Sequence, residues 1–442
     1  MLIVTHCIEI LHLQHIIKIQ YFGIDIIFKY WYYINIKSTI NKYVNNLHLN
    51  IIKGVIMNRD TRTLLNEIMS LSDFERTKLF MNYIQESIKD KTAIDLIKVY
   101  EKKLRYFQGS EIPLEHTIDC MHIFGSCITN KLYHYDYIEL SPIVPLGINS
   151  IITKLSQSIV GSTIRSSEVI ADPTTMLLLE ASYRRKQLKK KGLSEGVDLS
   201  TCCRVLRMQK YKDEKFLQHF NTFALASIKY TKLPMLDKIK KLKEHVIIYI
   251  DYMLKHNKKK YSFCDIEVNF SSIQVLDQLI SHMSPSQIDN FRRNTLNDTY
   301  NYLSDLGIEE IPTICSVDDL CYLDNISQIY DIKELKGIFF IIYKYLITPL
   351  SKNYPNIKFG LDLNRKTGHG YYKDICFSLS AKNSKGITYM LGDGGEVSWA
   401  SQFLSDNNES AIVSGFGLEM SQLHFLDSCK QPTIRKDVEF VI

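Results

Sequence analysis

The chain has 442 residues, of which 45% are apolar and 23% charged, with a net charge of +6. These values exclude a disordered chain and leave room for two or three domains around sizeable cores. The basic excess is mild, and the lysine-rich runs 184–191 and 258–260 read as solvated helix ends or loops rather than a nucleic-acid face.

Residues 1–56 are rich in Ile, Tyr, Lys, Asn and His, with no Pro, one Asp and one Glu. They lack the basic start and small-residue cleavage site of a signal peptide. Asp25 and Lys29 interrupt the most apolar stretch, 21–36, which is too short to span a bilayer, so no membrane segment is expected. Reverse translation of Lys53-Gly54-Val55-Ile56-Met57 allows a ribosome-binding sequence just ahead of an ATG. Translation is therefore expected to begin at Met57 in a low-GC bacterium, with 1–56 a mis-called start, the alternative being a genuine but irregular N-terminal extension; the intact mass of the native protein tests this.

From 57 to 111 the spacing predicts a small helical element. Leu64, Leu65, Ile68 and Met69, then Phe80, Tyr83 and Ile84, then Ile94, Ile97, Tyr100 and Leu104 recur at i, i+3 and i+4. Ser72 is placed to cap the second helix. From 112 the pattern becomes mixed: a helix over 116–132, then an alternating strand from Tyr135 that stops at Pro142, which has no N–H for a ladder. A helix is expected over 176–191, strands over 203–208 and 219–228, a helix over 242–255 and a strand over 265–270. Residues 273–306 and 326–353 read as helical, an insertion spanning about 273–353. Strands separated by Gly-rich turns follow over 357–426, closing in a helix from Glu419. Strands and helices without a regular βαβ beat indicate an α+β domain around an antiparallel sheet.

The ten cysteines, at 7, 120, 127, 202, 203, 264, 315, 321, 376 and 429, form no CxxC pair. No metal site is expected, and free thiols in a reducing cytoplasm are.

Three segments near the end are the most specific: Gly368-His369-Gly370-Tyr371-Tyr372, Gly392-Asp393-Gly394-Gly395 and Gly415-Phe416-Gly417-Leu418-Glu419-Met420. With Asp172-Pro173-Thr174 and Arg207 before them, their order over 112–442 resembles the core of class II aminoacyl-tRNA synthetases of the histidyl type. The resemblance implies a helix and strand ending at Pro142 that form a homodimer interface. It implies that Asp172 and Thr174 hold an α-ammonium group and that Tyr371 and Tyr372 wall a side-chain pocket. Arg207, Gln209 and Phe220 would stand at a nucleotide site, and Gly394, Gly395 and Glu396 in a pocket loop that also carries Trp399. Read from the residues alone, Asp172-Pro173-Thr174-Thr175 equally suits the cap of the following helix, and Tyr371-Tyr372 equally suits packing within a strand. Glu419 is expected to be structural, near the positive end of its helix.

The departures from that family are as telling. Its third-motif arginine is Met420 here, the arginine of its Arg-Gly-x-x-Tyr-Tyr segment is Thr367, its second-motif glutamate is Gln209, and the arginine of its Gly-Gly-Arg-Tyr-Asp loop is Glu396. Removing one preorganised charge costs about 10²–10³ in rate, so adenylation is expected to be lost unless Arg365 or Lys366 substitutes. About twenty residues follow Met420, too few for the family's anticodon-binding domain, so tRNA is not expected as a partner. This combination resembles the regulatory subunit of ATP phosphoribosyltransferase, which implies a cytoplasmic, non-catalytic protein that binds a free amino acid, histidine among the candidates, and partners a short-form catalytic subunit. The alternatives are an ATP-using ligase that activates an amino acid for a non-tRNA acceptor, and a scaffold with no ligand.

Overall fold

A computed structural model describes residues 61–426 apart from 111, 131, 154–155, 164, 210–216, 231–233, 258–259, 296, 298–299, 309–313 and 316–334. The expectations about 1–56, the start at Met57 and helix over 326–334 lie outside the described residues.

The chain divides into two compact units between Ile84 and Gln85, inside a helix. The first unit holds α1 (Thr61–Ser70) and most of α2 (Asp73–Ile88). Ser72 caps α2 as its position predicts: its N–H and hydroxyl donate to Glu75 Oε2 at 2.8 and 2.7 Å, and the Glu75 N–H returns a bond to Ser72 Oγ at 3.3 Å. In the second unit α3 (Ala93–Lys102) starts from a similar box between Thr92 and Asp95. The helical periodicity is right, but the apolar residues are not buried. Phe80, Tyr83, Ile84, Ile94 and Ile97 are all exposed.

The rest of the second unit is built on a nine-stranded sheet, with 

strands β1 (Asp136–Tyr137), β4 (Val197–Leu206), β5 (His219–Tyr230), β6 (Cys264–Ser272), β7 (Ile314–Cys315), β8 (Lys358–Asp362), β9 (Ile375–Lys382), β10 (Thr388–Val397) and β11 (Glu409–Phe416). Their order is β1-β4-β5-β11-β10-β9-β6-β8-β7, antiparallel except for β1–β4 and β6–β8. Two short strands, β2 (Ile143–Pro145) and β3 (Ser167–Val169), pair apart from it. The single strand expected up to Pro142 is therefore broken. Only β1 reaches the sheet, and β2 begins just after Pro142. The proline cannot donate, but its carbonyl accepts the Ile170 N–H at 3.0 Å, which helps turn the chain toward β3.

Helices cover both faces. On one lie α4 (Leu114–Ile128) and α6 (Pro234–Asn257): Phe124 stacks on Phe223 at 3.9 Å and Tyr249 on Phe416 at 5.3 Å. His245 of α6 bridges Ser227 and Ser414 at 3.1 and 2.8 Å. Burial holds its imidazole well below the usual range, so it is neutral and serves as a cross-tie. On the other face α5 (Pro173–Lys190) is pinned by Arg185, whose Nη2 lies 3.1 Å from Glu409 Oε1 with both side chains almost fully buried. Helices α7 (Ile273–Ser281) and α8 (Pro285–Asn294) occupy the expected insertion between β6 and β8, and α9 (Trp399–Leu404) and α10 (Leu418–His424) flank β11.

Candidate functional site

The site is assembled where α5 begins. Asp172 is its N-cap and Pro173 its first residue, a position where the missing N–H costs nothing. Asp172 Oδ1 accepts the Thr174 N–H at 2.9 Å and the Thr174 hydroxyl at 2.7 Å. Its other oxygen, Oδ2, accepts the Tyr371 hydroxyl at 2.8 Å, and that hydroxyl is 2.7 Å from Thr174 Oγ1. The capping role is thus present, and the same carboxylate is joined to Tyr371. Burial first, and then the Asp172 charge, hold the Tyr371 phenol well above its usual range, so it remains a donor at neutral pH.

Tyr371 and Tyr372 lie in a turn before β9, not in a strand. Gly368, at φ +92°, makes the turn: its carbonyl accepts the N–H groups of both tyrosines at 3.0 and 2.9 Å, and a Cβ there would lie 2.6 Å from Tyr372 Cδ2. The Tyr371 ring meets Tyr372 and Trp399 edge-on at 4.8 and 4.9 Å. The two tyrosines therefore form one aromatic wall with Trp399.

Arg207 follows the end of β4. Its Nε donates to the Ala171 carbonyl at 3.2 Å, next to the α5 cap, and its guanidinium lies 5.7 Å from the centre of the Phe220 ring. This brings Arg207 and Phe220 to the site. Gln209 lies half-buried beyond the strand end. The backbone N–H of Arg207 donates to the carbonyl of Gln218 at 2.7 Å. Gln218 was not singled out from the sequence, yet its side-chain Oε1 is buried without a hydrogen-bond partner, an acceptor left open where the β4–β5 pairing ends.

The expected pocket loop needs correction. Gly394, Gly395 and Glu396 belong to β10, where glycine lets neighbouring chains come close. A Cβ on Gly394 would lie 2.4 Å from Ser414 Cβ, and one on Gly395 would lie 2.6 Å from Cys376 Cβ and 2.8 Å from Tyr372 Cδ1. Glu396 is buried and ion-paired to Lys238 of α6 at 2.6 Å, with Lys373 at 3.6 Å. Alternation along the strand sends it toward α6 and leaves Asp393 on the opposite face, the face of Arg207 and Gln218. Asp393 is the second missed residue. Its Oδ2 is 3.5 Å from Nη2 of Arg365, whose guanidinium is buried, donates from Nε to the Thr367 carbonyl at 3.0 Å and lies 5.4 Å from the Tyr372 ring centre. Burial pushes the Asp393 carboxyl above its usual range; Arg365 opposes that push and Asp172 adds to it.

Met420 is half-buried in α10. Glu419 beside it accepts from Arg204 Nη2 at 2.7 Å and from the Asn221 N–H at 3.0 Å, tying α10 to the β4–β5 pair. Among the described residues no group of three or more His, Cys, Asp or Glu side chains has the arrangement of a metal site, and no described helix is long and apolar enough to cross a membrane.

No protein-family model matches the chain, and no curated protein matches it in sequence. Solved structures match it clearly in fold. An ATP phosphoribosyltransferase regulatory subunit/histidyl-tRNA synthetase from Bacillus halodurans is similar at 12% identity and a TM-score of 0.51, over 70% of this chain and 78% of that one. Histidyl-tRNA synthetase from Nostoc sp. PCC 7120 is similar at 16% identity and 0.52, over 73% and 76%. A histidine–tRNA ligase subunit from Alicyclobacillus acidocaldarius is similar at 12% identity and 0.50, over 72% and 95%. The chain has the class II synthetase-like fold. Within that class it is the histidyl-type core that the fold follows, shared by the synthetases and by the phosphoribosyltransferase regulatory subunit.

Proposed function

We propose that the protein binds a free amino acid at the α5 N-terminus and regulates a partner enzyme, of the kind of the short-form ATP phosphoribosyltransferase catalytic subunit, without itself catalysing adenylation. The observation that carries the reading is the hydrogen-bonded trio Asp172, Thr174 and Tyr371, in which a carboxylate and two hydroxyls converge where an ammonium group would sit. The aromatic wall of Tyr371, Tyr372 and Trp399 bounds the same place. Loss of catalysis is supported by charge: Met420 and Thr367 supply none, and Arg365 is engaged by the Thr367 carbonyl, the Tyr372 ring and Asp393.

Isothermal titration with the twenty amino acids, with and without ATP, tests the reading. Binding of one of them together with no ATP–pyrophosphate exchange is the expected result. Exchange activity would instead favour the ligase reading, which Arg207 keeps in view by its position against Phe220 and the α5 cap. Homodimerisation is proposed through α4 and β1. In support, β1 is an edge strand, and a hollow of about 440 Å³ lined by Thr129, Tyr135, Tyr137 and Arg184 lies beside it. Light scattering that gives a monomer mass would remove this part.

A further inference from the structure

We infer that His219 is an acid-released latch: while neutral it fastens the segment just before α4 to the end of the β4–β5 hairpin, and on protonation it lets that segment go. The latch stands independently of the amino-acid-binding reading above.

After α3 the chain makes one helical turn, Leu104–Phe107, before it reaches α4. Two residues there meet the hairpin end. The Tyr106 hydroxyl donates to the Met208 carbonyl at 3.0 Å. The backbone of Gln108, a residue only 6% exposed, is hydrogen-bonded to the His219 ring. Phe107 and Gly109, on either side of Gln108, are exposed. His219 Nδ1 lies 2.8 Å from Arg204 Nη1. A guanidinium only donates, so Nδ1 is the acceptor. The ring is therefore neutral with its proton on Nε2, and that N–H is the donor to the Gln108 carbonyl.

Protonation undoes this arrangement. A proton on Nδ1 sets two donors and two positive charges face to face at hydrogen-bond distance, so the ring has to leave Arg204. The charged groups around the ring are Arg204 from β4 and Glu419 from α10, and the segment before α4 presents the Gln108 carbonyl. Burial, and then the Arg204 charge, hold the imidazole below its usual range, against the pull of Glu419. Glu419 Oε2 is already taken by Arg204 Nη2 at 2.7 Å and the Asn221 N–H at 3.0 Å. Its other oxygen, Oε1, is buried without a partner, and it gives the imidazolium an acceptor away from Gln108. The latch thus stabilises fully above the unfolded value, about pH 6.5, and is lost as pH falls through the folded value. His219 pairs with Leu206 across the hairpin, so its chain neighbours there are Arg207 and Phe220, and release reaches the hairpin end that carries them.

The test is hydrogen–deuterium exchange of the full chain over residues 103–110, at about pH 7.5 and about pH 5 and corrected for intrinsic exchange, on either side of the ordinary histidine range. His219→Gln serves beside it, because glutamine keeps a side-chain donor and acceptor but does not titrate. Protection of the segment is expected to fall about tenfold at the lower pH in the unaltered protein, the size of one net hydrogen bond, and to stay level in His219→Gln. Equal protection at the two pH values in the unaltered protein overturns the inference, as does a loss that persists in His219→Gln. Where the variant fails to fold, histidine NMR titration of the unaltered protein decides the matter. The His219 ring should titrate below about pH 6.5, in step with the loss of protection; a midpoint apart from that loss overturns the latch.

Discussion

At the scale of single residues, Asp172 combines two functions that substitution can separate. As N-cap it satisfies the Thr174 N–H, and as an anion it meets the Tyr371 and Thr174 hydroxyls. Asparagine keeps a cap acceptor but loses the charge, whereas alanine loses both. Asp172→Asn is therefore expected to melt within a few degrees of the unaltered protein and to bind amino acids at least about tenfold more weakly, since a charge-assisted bond is lost. Asp172→Ala should lose about 1 kcal/mol of stability as well. Thermal melts beside titration calorimetry check the pair; an Asp172→Asn variant with full ligand affinity would contradict the assigned role. Arg185 gives a purely structural counterpart. Its pairing with Glu409 is buried on both sides, and Arg185→Ala leaves that acid with Lys189 at 3.4 Å in place of its buried partner, so a loss of about 3 kcal/mol is expected in denaturant titration.

At the scale of elements, β10 shows what glycine permits. It lies between β9 and β11 in the sheet, where Gly394 passes within 2.4 Å of Ser414 Cβ once a Cβ is imagined on it. Gly394→Ala should cost about 1–3 kcal/mol, because an added methyl group in a packed core forces strand shifts. A shift of the urea midpoint with an unchanged slope is the expected reading. The Gly-Gly pair was legible in the sequence as a marker, but its element was not. A pair of glycines signals either a loop or a close approach of strands, and only the neighbouring Ser414, Cys376 and Tyr372 decide between them. The helix starts were read more directly. Ser72 and Glu75 declare the α2 cap by spacing alone, and Asp172-Pro173 declares that of α5, because capping involves residues two or three apart.

At the scale of the whole molecule, two acids make stability depend on pH. Burial pushes the carboxyls of Asp362 and Asp374 above their usual range. Each holds its proton more tightly folded than unfolded. Their stabilising contribution is complete below the unfolded value, about pH 4, and is lost as pH rises through the folded values. Asp374→Asn keeps an acceptor for the Ser272 hydroxyl, now at 2.7 Å, and removes the ionisation. It is expected to raise the melting temperature near neutral pH and to give no gain near about pH 4; a gain that is constant with pH would contradict this. By itself the sequence determined the α+β class, the order of most elements and the helix caps, since each rests on periodicity or on short spacings, while its resemblance to the histidyl-type core marked Asp172, Thr174 and Arg207 as residues worth testing. Tertiary structure alone decided that Tyr371 meets an acid 199 residues away, that Glu396 turns to Lys238, and that Asp393 meets Arg365. The reason is register: the pairing of β10 with its neighbours assigns each residue a face, a shift of one residue exchanges the two faces, and nothing local in the chain sets that pairing.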